Sequence, residues 1–107
     1  MCSGPNFETA MNIREIKSTA RQFRDSLLGK RESDMMCAVV CYPLQGYLAF
    51  LGVKTEIAEV ILQHSNHIYL LLPDGRVLDP TADQFGDYPK VYIGEPLWFH
   101  QNYQRRA

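Results

Sequence analysis

NHIYLLLPDGRVLDPT, residues 66 to 81, is the stretch whose reading decides the fold. Two apolar runs flank Pro73-Asp74-Gly75. Proline presets its own φ, Asp can bond the backbone two residues on, and Gly accepts a left-handed conformation, so the tripeptide reads as a tight turn. The runs on either side, HIYLLL (67 to 72) and RVLD (76 to 79), are of strand length and strand composition, and a hairpin is predicted. With Pro73 to Arg76 as the turn, Leu72 pairs near Val77 and Asp79 falls near Leu70. His67 and Asp79, two polar groups, then lie within two or three residues of each other at one end of two apolar strands.

Further strands are expected on both sides of the hairpin, TEIAEVIL (55 to 62) before it and KVYIG (90 to 94) after it. Upstream the periodicity changes. Asn12 stands as a helix N-cap with Glu15 three residues on, a capping-box pattern, and Ile13, Ile16, Ala20, Phe23 and Leu27 follow at helical spacing until Gly29. After the polar loop KRESD a second helix is expected from Ser33 or Asp34 to Leu51, with Gly52 as its stop. Pro43 should kink that helix or begin a fresh first turn. The sum is an α+β domain, N-terminal helices packed on a small antiparallel sheet. Residues 1–11, rich in Ser, Gly, Pro and Asn, read as a loose arm, and 12–107 as one domain.

At 107 residues with 46% hydrophobic side chains, the chain can bury a core without staples. A net charge of -1 gives no basic footprint for nucleic acid or anionic lipid. Three cysteines, Cys2, Cys37 and Cys41, are an odd set, which fits reduced thiols in a cytoplasmic compartment better than a disulfide framework. The N-terminus lacks the basic and apolar regions of a signal peptide. Residues 35 to 53 carry no charge, but Pro43, Gln45, Gly46 and two tyrosines dilute them, so a buried central helix is expected rather than a membrane span.

A thiol becomes a good nucleophile when ionised, and the positive end of a helix and a neighbouring imidazolium both favour the thiolate. Cys37 at a helix start can have both. His67 can accept and return the proton, and Asp79 can fix its tautomer and orientation. If the helix began at Pro43 instead, Cys41 would stand nearer the positive end, so it remains the alternative nucleophile. The bland readings are a packed small thiol, a solvated histidine and a turn aspartate.

The run Cys37-x3-Cys41-x2-Leu44-x3-Leu48-x2-Leu51-Gly52, then Asn66-His67-Ile68-Tyr69 and Asp74-Gly75-Arg76-Val77-Leu78-Asp79-Pro80-Thr81, resembles bacterial papain-like and transglutaminase-like cysteine hydrolases. The resemblance spans roughly residues 35 to 94. It implies a Cys37, His67, Asp79 triad and no cofactor. It also implies a protein substrate and action in a cytoplasm, that of the producing cell or of a target cell reached by an effector or toxin. Gln84, five residues beyond Asp79, is similar to the oxyanion-supporting glutamine of papain-like deamidase toxin domains. Deamidation of a protein glutamine is the activity so implied, ahead of thiol-protease cleavage or transglutaminase-like acyl transfer. The chain departs from the family in its shortness, in having no glutamine before Cys37 in the papain manner, and in Pro43.

Two readings of another class stand beside it. Cys37, Cys41, His64 and His67 offer four ligands of a type suited to zinc, although their spacing is longer than the common finger pattern and leaves Asp79 without a role. A non-catalytic protein-binding module on the same fold is the other. Trp98, Phe99 and Tyr103 read as anchors of the C-terminal segment rather than as a substrate cleft, and Gln104-Arg105-Arg106 as a solvated tail.

Overall fold

The computed structural model describes residues 11–63 and 65–106; the expected arm, Cys2 and His64 therefore fall wholly or largely outside the described residues. Helix α1 (Ile13–Leu28) opens on the expected capping box: Glu15 N–H donates to Asn12 Oδ1 at 2.8 Å and Asn12 N–H to Glu15 Oε1 at 3.0 Å. Its buried stripe is Ile16, Ala20, Arg24 and Leu28, a strict four-residue step, whereas Leu27 is 39% exposed. The stripe takes in an arginine because Asp83 meets the Arg24 guanidinium at 3.1 Å. A buried charge is tolerable when paired.

Helix α2 (Cys37–Phe50) begins three or four residues later than expected and runs unbroken through Pro43. Proline costs the helix one donor, the one that Val39 C=O would have used. Val39 is half exposed, so water can serve that carbonyl. Cys41, Leu44 and Leu48 face inward. Among the described residues no helix is long and apolar enough to cross a membrane.

The sheet is β1 (Glu56–Ile61), β2 (Asn66–Leu71), β3 (Val77–Asp79), β4 (Tyr92–Gly94) and β5 (Gln104–Arg106), in spatial order β4-β3-β2-β1-β5, antiparallel throughout. The expected solvated tail is an edge strand: Arg105 opposes Ala58, and its guanidinium reaches Glu56 at 3.0 Å. One core layer lies under the helices, where Ile57, Leu70 and Leu78 meet Ile16, Ala20, Cys41, Leu44 and Leu48. The other face of the sheet carries Ala58, Val60, Tyr69, Leu71 and Val77.

The hairpin register differs from expectation by one residue, and the difference matters. Leu71, not Leu72, opposes Val77, and Leu70 opposes Leu78, because the turn closes between Leu72 and Arg76 with Gly75 at φ 91°. In the expected register Asp79 would share a face with Leu70 and point away from His67. A one-residue shift flips every side chain of a strand to the other face. In the observed register Asp79 extends to a place opposite Tyr69, on the face that also bears His67.

Candidate functional site

Past the Leu70–Leu78 pair the β2–β3 ladder stops, and at this open end three elements converge. Cys37 is the first residue of α2, His67 the second of β2, and Asp79 the last of β3. His67 Nε2 lies 2.7 Å from Asp79 Oδ2. The thiol of Cys37 interacts with the same imidazole. His67 Nδ1 is buried and has no hydrogen bond of ordinary geometry, so the thiol meets the ring without closing one. The three sequence-derived residues are thus together, in the order thiol, imidazole, carboxylate.

Electrostatics follow from that order. Burial works against charge on Cys37, but the His67 ring and the Ile68 and Ala38 backbones outweigh it and lower the thiol below its usual range. Burial likewise disfavours the His67 imidazolium, yet the Asp79 bond and the Cys37 contact push its pKa up to about 9. Asp79 is fully buried, and the donors His100 and His67 overcome that burial to hold it below the usual carboxylate range. Each member of the row thiol, imidazole, carboxylate thus favours its charged form more than it would alone in water. Phe85 packs edge-on against the His67 ring at 4.6 Å and Phe99 at 5.7 Å, keeping water from its flanks.

Cys41 behaves differently. It is fully buried, its S–H donates to Ile68 O at 3.4 Å, and burial pushes its thiol well above the ordinary range. That is a packed thiol, not an ionised one.

Gln84 sits in the short 3₁₀ turn Ala82–Phe85. Its carbonyl accepts Met35 N–H at 3.2 Å and its amide donates to Thr81 Oγ1 at 2.9 Å. Met35 has φ 62°, a left-handed conformation uncommon outside glycine. Gln84 therefore fixes the backbone two residues ahead of Cys37. The same turn is tied down by Asp83, which accepts Ser33 Oγ–H at 2.6 Å besides the Arg24 pair. Helix α1, the loop before α2 and the turn after Asp79 are thereby joined at one corner.

One member of the site is absent from the sequence reading. His100, in the 3₁₀ turn Trp98–His100, is fully buried, and its Nε2 lies 2.7 Å from Asp79 Oδ2, the oxygen that also serves His67. Its position in LWFHQ has no motif spacing to His67 or Asp79. The available signal was a histidine inside an apolar, aromatic stretch. Phe99 is buried as an anchor, while Trp98 is 59% exposed.

Among the described residues, His67, Asp79 and His100 offer atoms close enough together to hold a metal ion. The donor chemistry is less suited. His100 Nδ1 accepts Leu97 N–H at 2.9 Å, which places its proton on Nε2, the atom that would have to ligate. Of the four side chains in the alternative zinc reading, Cys41 gives its S–H to a carbonyl and His64 lies outside the described residues.

In comparisons with known proteins, the chain matches no family, no curated protein and no solved structure.

Proposed function

We propose that this chain is a thiol-dependent amide hydrolase of the papain-like or transglutaminase-like kind. The observation that carries the reading is the line from Cys37 through His67 to Asp79 at the open end of the hairpin. The Cys37 thiolate attacks an amide carbonyl, and a carbon–sulfur bond forms as the carbonyl pair moves to oxygen. The oxyanion is met by the backbone N–H of Cys37 at the helix start, whose first-turn N–H groups have no intrahelical partner. His67 Nδ1 passes its proton to the departing nitrogen, leaving a thioester. Water then attacks with His67 as base, and the thiolate returns with a carboxylic acid. Gln84 supports the oxyanion position by fixing the backbone ahead of Cys37.

The favoured substrate is the side-chain amide of a protein glutamine, as the family resemblance implies. A physical point supports this ranking: Cys37 is only 8% exposed, so a slender terminal carboxamide reaches the sulfur more readily than a peptide bond within a chain. Mass spectrometry of candidate proteins after incubation tests the proposal. The expected result is conversion of specific glutamines to glutamate, absent with Cys37→Ser. New chain termini would show proteolysis instead, and cross-linked amines acyl transfer. No change in any substrate tried, together with an ordinary thiol at Cys37, would remove the hydrolase reading.

A further inference from the structure

We propose that His100 is a positioning residue of this site: a second imidazole that clamps the Asp79 carboxylate and so sets the orientation of His67. The inference rests on reading Cys37, His67 and Asp79 as the catalytic line. His100 Nε2–H donates to Oδ2, while Thr81 N–H donates to Oδ1 at 3.0 Å, so both carboxylate oxygens are held by groups other than His67. The His100 ring is itself fixed. Leu97 N–H occupies Nδ1, and the ring packs against Tyr69 at 4.5 Å and Phe99 at 4.4 Å. Tyr69 Oη–H further donates to the His100 carbonyl at 2.7 Å.

Both ring nitrogens of His100 are engaged, Nδ1 by Leu97 N–H and Nε2 by Asp79, which selects one tautomer. The ring acts as a donor of fixed direction. Two donors on Oδ2 pin the carboxylate so that His67 bonds through Nε2 and presents Nδ1 to Cys37. Without the second donor, Asp79 would be free to turn toward Thr81, and the His67 ring would lose the reference that aims it.

The charged and titratable groups facing this cluster are Cys37 and Cys41 from α2, His67 and Tyr69 from β2, Asp79 from β3, Tyr92 from β4 and Tyr103 just before β5. Tyr69 and Tyr92 are shifted above the phenol range and Asp79 below the carboxylate range.

The test compares wild type, His100→Gln and His100→Asn in the full chain. Glutamine can still reach Asp79 with an N–H; asparagine can accept from Leu97 N–H but falls short of the carboxylate. The rate of Cys37 alkylation by iodoacetamide is followed against pH by peptide mass spectrometry, and the His67 ring by nitrogen-resolved NMR titration. His100→Gln should stay within about threefold of wild type at pH 6. His100→Asn should fall about tenfold, one unit of thiol pKa, with the His67 titration moved to lower pH. A merely structural role would order the variants by melting temperature and leave both midpoints in place. Coincident midpoints for His100→Asn and wild type, or equal shifts in both variants, would overturn the proposal. An ordinary thiol in the wild type would instead sink the hydrolase reading, and the His67 titration alone would then decide whether His100 holds Asp79.

Discussion

Replacing Asp79 by Asn separates the charge on the carboxylate from its shape, and its cost should depend on pH in a calculable way. The measurement belongs in a Cys37→Ser background, because thiol and imidazole exchange a proton and titrate as a pair. With serine there, His67 is counted alone. Its folded pKa of about 9 stands above the unfolded value near 6.5, so the stability it contributes is fully present below about pH 6.5 and is lost as pH rises through 9. The difference of about 2.5 units corresponds to roughly 3 kcal/mol, a ceiling that includes the Cys37 contact. The Asp79 bond, the largest of the raising influences, remains in the serine background, so the contribution there falls somewhat below that ceiling. In Asp79→Asn the buried His67 has no carboxylate, its pKa falls, and the protein weakens further below pH 6.5. Urea unfolding followed by Trp98 fluorescence should therefore show the two proteins farther apart at pH 5.5 than at pH 9.5, by about 2 to 3 kcal/mol. An equal gap at both values would refute the claim that Asp79 holds an imidazolium.

Iodoacetamide should label Cys37 well ahead of Cys41 in the folded protein at pH 7, since one thiol is shifted down and the other up; comparable peptide yields for the two would undo the choice of nucleophile. Tyr69→Phe should cost about 1 to 3 kcal/mol in chemical denaturation, because the buried His100 carbonyl loses its donor. Asp83→Ala should cost about 2 to 3 kcal/mol, somewhat below the figure for a fully buried pair, because it strands the Arg24 charge while the carboxylate is partly exposed; a loss under half a kcal/mol would show that the corner is not held there. Arg105→Ala, by contrast, removes an exposed pair and should change stability by no more than about half a kcal/mol in the same assay.

Local chemistry was legible in the sequence wherever it was local. The Asn12 and Glu15 capping box, the Gly29 stop and the Pro73-Asp74-Gly75 turn each depend on residues within a few positions, and the structure contains all three. What escaped depended on partners far along the chain. Nothing near Arg24 in the chain accounts for its burial; Asp83, 59 residues on, does, and Asp79 and Tyr69 do the same for His100. Residues 104 to 106 read as a charged tail because an edge strand needs only a free strand to pair with, and β1 supplied one. The hairpin shows how fine the margin was. Both registers bring His67 and Asp79 close in number, and only the turn length decides whether they share a face.

The segment that follows β4 turns the site into a matter of chain order. Cys37, His67 and Asp79 lie within 43 residues of one another, on elements that contact each other directly. Their enclosure comes from later residues: Phe99 packs on the His67 ring, His100 meets the Asp79 carboxylate, and β5 then returns to pair with β1, whose Ile57 sits opposite Arg106. A chain emerging in sequence would form the helices, the hairpin and the positions of Cys37, His67 and Asp79 first and leave the acid wet until its last turns arrive. Pairings this far apart in sequence cost more closure entropy than a hairpin does. Burial of the Asp79 carboxylate would then lag compaction, because its second imidazole arrives only with the last eighth of the chain.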